Sequence, residues 1–158
     1  MTTADTPKTP KPPPKSARRR AREFALQGLY QWRLKANDAA AIEAHLPELE
    51  GYAKADQEFC LALLRGVMRH SDDLSTLITP HLDRPIGELS PIEACILLQG
   101  AFELQQFAET PYRVIINESI ELAKTFGGSE GHKYINGVLD KLAVGMRAAE
   151  VEARKQVR

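Results

Sequence analysis

From Ser16 onward, Ala21, Phe24, Ala25, Gly28, Leu29 and Trp32 recur at three- and four-residue steps, the period of one helix face. This spacing predicts a first helix, N-capped by Ser16 and running to about Lys35. Asn37-Asp38 offers a turn and cap for a short segment around Ile42 and Leu46, which Pro47 interrupts and Gly51 ends. Asp56 starts a helix with Phe59, Cys60, Leu63, Leu64 and Val67 on one face, and Ser71 opens another through Leu74, Leu77 and Ile78 as far as Pro80. In Ser90-Pro91-Ile92-Glu93 the serine can cap, the proline suits the first helical position and the glutamate can complete a capping box. The helix that follows is apolar over a wide face, as a central helix would be. Thr110-Pro111 repeats the cap-then-proline signal, and Gly127-Gly128 closes that helix. Ser129 is the expected cap of a last long helix bearing Ile135, Val138, Leu139 and Leu142. No segment alternates convincingly at period two, so the pattern predicts an all-α chain of six or seven helices with short loops.

Composition changes this picture mainly at the N-terminus. Five of the first fifteen residues are prolines, and the rest are Met, Thr, Lys, Ala and Asp, too polar to repay ordering by burial. Residues 1–15 therefore read as a disordered, partly polyproline-II tail. The chain has 158 residues, long enough for one domain with a real core. No apolar run approaches a membrane span and Met1 precedes no apolar signal segment, which leads to the expectation of a cytoplasmic protein. Cys60 and Cys95 lack any metal or CxxC spacing and read as small buried apolar residues.

The formal net charge is zero, but residues 1–35 carry net +7 and the remainder the opposite. Much of that charge sits in Arg18-Arg19-Arg20-Ala21-Arg22. With Ala21, Phe24 and Ala25 on the core side, the four guanidiniums are expected to be free for a partner. Arginines gain nothing from a helix N-terminus, whose dipole repels them, and their planar forks suit phosphates and bases. Two readings follow: a nucleic-acid site or a solubilising basic face. No duplex-reading signature appears, so single-stranded RNA fits better than duplex DNA. Tyr134, after His132 and Lys133, reads either as a stacking platform for a base or as a core tyrosine with its hydroxyl at the surface.

Enzymatic signals are weak. His45, His70, His81 and His132 are scattered without metal-ligand spacing, and no phosphate loop, dinucleotide fingerprint or nucleophile elbow occurs. Glu118 and Glu121, followed by Lys124, read as ordinary helix-face charges. Catalytic residues, metal and cofactors are accordingly expected to be absent.

Three blocks, RRRAREFALQGLYQW (Arg18 to Trp32), IEACILLQGAFEL (Ile92 to Leu104) and above all PYRVIINESIELAKTFGGSEGHKYINGVLDK (Pro111 to Lys141), resemble the bacterial transcription antitermination factor family NusB. The resemblance implies two packed three-helix-type bundles over residues 16–147, with 148–158 left as a charged tail. It implies a non-catalytic role: binding boxA-type single-stranded RNA together with the ribosomal protein NusE, within an RNA polymerase antitermination complex that supports ribosomal RNA transcription. RNA contacts carry over to Arg18, Arg19, Arg20 and Arg22, and to Glu130, Lys133 and Tyr134; many relatives carry Asp and Phe where this chain has Glu130 and Tyr134. The NusE-facing surface carries over to Tyr30 and Glu93, although Glu93 can also serve as a cap. Two other readings are a helical interaction module that self-associates as a homodimer, and an RNA-binding domain serving a separate ribosomal RNA methyltransferase.

Overall fold

The computed structural model describes residues 15–128 and 130–157. The expected tail up to residue 14 and the expected cap Ser129 lie outside them. Among the described residues there are eight α-helices and no strand: α1 (Ala17–Arg33), α2 (Ala39–His45), α3 (Gln57–Arg69), α4 (Ser71–Ile78), α5 (Pro91–Gln106), α6 (Tyr112–Phe126), α7 (Gly131–Met146) and α8 (Ala148–Gln156). Short 3₁₀ turns fill the joins at Leu46–Glu48, Tyr52–Lys54, Thr79–His81 and Ile86–Glu88.

Helix starts follow local chemistry where a short polar side chain can reach back. Ser16, Asp38, Asp56 and Ser90 accept from the backbone N–H groups of Arg19, Ala41, Phe59 and Glu93, each satisfying an otherwise orphan donor. The box at Ser90 is only half formed, because among the described hydrogen bonds Glu93 returns none to Ser90. Thr110 does not cap α6. Its hydroxyl accepts from Arg18, and the Tyr112 N–H is met instead by Glu150 Oε2 of α8 at 2.7 Å.

α5 runs through the middle, burying Ala94 to Leu104 without a break and touching α1, α3, α4, α6 and α7. Two glycines allow this approach. A Cβ on Gly66 of α3 would lie 2.0 Å from Phe102 Cζ, and one on Gly100 would lie 2.9 Å from Ser119 Oγ of α6. Cys60 and Cys95 are buried free thiols, as their sequence setting suggests.

The eighth helix corrects the expected helix count and the reading of 148–158 as a tail. Composition hides it, since Val151 is its one buried residue. What docks it is Arg147, whose buried guanidinium donates to the carbonyls of Leu104 (2.8 Å), Phe107 (2.9 Å) and Thr110 (3.0 Å) and to Glu150 (2.6 Å). These carbonyls lie at the end of α5 and in the following loop; those of Leu104 and Thr110 would otherwise be unpaired among the described residues, and that of Phe107 already accepts the Thr110 N–H.

Candidate nucleic-acid interface

The first turns of α1 divide their arginines unequally. Arg18, Arg19 and Arg22 line one cleft of about 430 Å³ with Thr110, Val114 and Glu118, while Arg20 lies on the flank near Gly51. Arg22 overturns the expectation of four partner-facing guanidiniums. It is 4% exposed and forms a two-pronged pair with buried Glu103 of α5. Its Nη1 also lies 3.5 Å from Glu118 Oε1. A carboxylate buried as deeply as Glu103 requires a fixed cation, so Arg22 is a structural residue.

Arg19 pairs through Nε and Nη2 with both oxygens of Glu118, at 3.0 and 2.7 Å, yet its side chain keeps 40% of its surface in solvent. That hydrogen bond, with the nearby Glu121 and Glu23, raises the Arg19 pKa further. Arg18 lies 4.1 Å over the Phe59 ring, with Nε 3.8 Å from Asp56, and is similarly exposed. Arg20 has no carboxylate partner among the described residues. Three cations thus face outward, two of them pre-oriented by their own contacts.

The second patch is built around Tyr134 in the first turn of α7. Its hydroxyl donates to Asp83 Oδ1 at 2.9 Å and accepts from the Asp83 N–H at 3.3 Å, while the Arg84 guanidinium sits 5.3 Å from the ring centroid. Arg84 closes the clasp by donating to both Asp83 oxygens. Partial burial raises the Tyr134 phenol, and the Arg84 and Tyr134 hydrogen bonds hold Asp83 below the usual carboxylate range. The half-buried ring packs one side on the core and lines an open cleft with Lys133 and Lys141. It is neither sealed inside nor freestanding. Lys133 and Glu130 pair with each other at 3.0 Å, both largely in water. Sequence reading missed Asp83 and Arg84, which sit in an aperiodic loop 51 and 50 positions before Tyr134; their only local signal is an acid-base pair before Pro85.

Tyr30 and Glu93 lie on either side of the start of α5. Tyr30 is 38% exposed and lines a groove of about 530 Å³ with Gln27, Gln31, Pro91, Ile92 and Phe126. The Glu93 carboxylate reaches instead toward the start of α7, where a Cβ on Gly131 would lie 3.6 Å from its Oε1.

Residues 19–144 match the model of the NusB family. The chain belongs to this family. It is 60% identical, over all of its length and 97% of the relative's, to the transcription antitermination protein NusB of Dechloromonas aromatica. It is 58% identical over 98% of its length to the complete namesake from Ralstonia nicotianae. Among solved structures, T. maritima NusB superposes with a TM-score of 0.69 at 27% identity, covering 79% of this chain and 89% of that one. A NusB crystallised with NusE and dsRNA shares the fold, with a TM-score of 0.67 at 24% identity over 80% of this chain and 95% of the other. In this NusB-family chain, no group of three or more His, Cys, Asp or Glu side chains among the described residues could hold a metal ion. No described helix is long and apolar enough to cross a membrane.

Proposed function

We propose that this chain is a transcription antitermination factor that binds boxA-type single-stranded RNA jointly with NusE, as part of an RNA polymerase complex in the cytoplasm. One observation carries the reading: 60% identity over the whole of this chain to a protein named for transcription antitermination. The relative crystallised with NusE and dsRNA supports NusE and RNA as partners, while the preference for a single strand rests on the sequence reading. Arg18, Arg19 and Arg20 supply attraction for the backbone, and Arg22 holds α1 to α5 beneath them. Tyr134, with the Arg84 guanidinium over its ring, offers a stacking surface, and Lys133 adds charge. Tyr30 and Glu93 belong to the NusE-facing side, Tyr30 through the groove beside α5 and Glu93 through its carboxylate at the α5 start. The two helical bundles meet at α5, and the protein performs no bond-making.

The test is RNA binding measured with and without NusE, comparing single-stranded boxA-type RNA with a duplex of the same sequence. Cooperative binding of the single strand is expected, and binding indifferent to NusE would reject the reading. If three outward cations each neutralise one phosphate, log K against log salt should slope at about −2. Sedimentation with and without RNA examines self-association through the same surface, which RNA should then dissolve.

A further inference from the structure

Beyond residues 19–144, where the family model stops, α8 builds a basic cleft. Its last turn brings Arg154 and Lys155 against Tyr112 and Arg113 at the start of α6, enclosing about 300 Å³. Three of the four lining residues are cations. Arg113 is held by Asp140 at 2.7 Å, while Arg154 and Lys155 have no carboxylate partner among the described residues. Glu150 of α8 is already engaged by Arg147 and by the Tyr112 N–H.

The C-terminal dipole of α8 favours Arg154 and Lys155 where they are, and Asp140 of α7 holds Arg113 at the N-terminal end of α6. Arg154 and Lys155 have no such carboxylate among the described residues, and an anion in the cleft would supply one. Guanidinium forks with an ammonium are the donor set of a phosphate site.

Its neighbour decides which phosphate. Thr110 and Val114 form one wall of the cleft that holds Arg18 and Arg19, and Tyr112 and Arg113, between them in sequence, form a wall of this one. Arg147 fixes the shared segment by binding the Thr110 carbonyl, while Arg18 binds the Thr110 hydroxyl. We propose that the α6–α8 cleft binds a backbone phosphate of the same RNA strand that crosses the α1 arginines, extending the RNA track onto α8. This rests on the RNA-binding reading above.

The experiment uses the full chain with NusE and two fluorescent RNAs: a short boxA-type oligomer, and longer versions extended at either end. Extension at one end should tighten binding by the wild type and steepen its salt slope by about 0.7 to 1.4, one or two phosphates' worth. The variant Arg154→Gln/Lys155→Gln should match the wild type on the short oligomer and lose the gain from extension. Arg113→Gln, in a different helix, should lose the gain as well, which keeps the result interpretable if the double variant frays α8. A wild type that gains nothing from extension, or variants that keep the gain, would overturn the inference while leaving the reading beneath it intact. Loss of NusE affinity without RNA would mark the cleft as a protein interface and overturn it too. Failure of the short oligomer itself to bind would overturn both.

Discussion

Arg22 donates through Nε and Nη2 to the two carboxylate oxygens of Glu103, each at 2.8 Å, with side chains only 5% and 2% exposed. The pair joins α1 to α5 beneath the outward arginines, so a sequence motif of four arginines separates into one structural residue and three surface ones. Gln99 reinforces the join by donating to the Arg22 carbonyl at 3.1 Å.

Removing one member of this pair leaves a buried charge unmet. Arg22→Ala should lower unfolding free energy by about 3 to 5 kcal/mol in urea denaturation. The combined Arg22→Met/Glu103→Leu variant should recover most of that loss and, where folded, keep the wild-type salt slope for RNA. A slope flattened by one phosphate's worth in that double variant would return Arg22 to the RNA surface.

Arg18 and Arg20 behave oppositely. Arg18→Ala/Arg20→Ala should cost under about 1 kcal/mol of stability for each residue, since exposed pairs and cation–π contacts are weak. Their removal should make the RNA salt slope shallower by about 1.4. Anisotropy titrations at several salt concentrations measure it, and an unchanged slope assigns these cations to solubility alone.

The Asp83, Tyr134 and Arg84 clasp separates ring from hydroxyl. Tyr134→Ala should weaken RNA binding by about 1 to 3 kcal/mol, whereas Tyr134→Phe keeps the stacking face and most of the affinity. Equal losses in both variants would place the effect in the clasp.

The same clasp has a pH signature. Asp83 titrates lower in the folded chain than in the unfolded one, so its contribution to stability is present above the unfolded carboxylate value of about 3.9 and is lost as pH falls through the lower folded value. Carboxyl NMR should find its midpoint below about 3.9, and Tyr134→Phe should move it upward. A wild-type midpoint at or above the ordinary value would contradict the clasp.

Burial pushes the thiols of Cys60 and Cys95 up to about 11. At pH 8 neither should react with a disulfide reagent in the native state, and both should react once urea unfolds the chain. Rapid native labelling would show that the core opens far more readily than its packing implies.

Seven helices were legible in the sequence because their apolar positions repeat at helical spacing, and because Ser16, Asp38, Asp56 and Ser90 are caps whose chemistry acts within three residues. α8 was not, since its attachment depends on one arginine meeting carbonyls about 40 positions away. Thr110 illustrates the same limit: its local promise as a cap lost to Glu150, which approaches from another helix.

The candidate site was legible to a similar depth. Charge density marked the start of α1, and the three blocks marked the family, but neither could distinguish Arg22 from Arg18. By itself, the sequence determined the helical class, most helix starts and the basic end of α1, because period, capping and charge are set by near neighbours. Only the tertiary structure decided which guanidinium is buried, which loop clasps Tyr134 and where α8 docks, because pairing and desolvation depend on groups that meet only after the chain has packed.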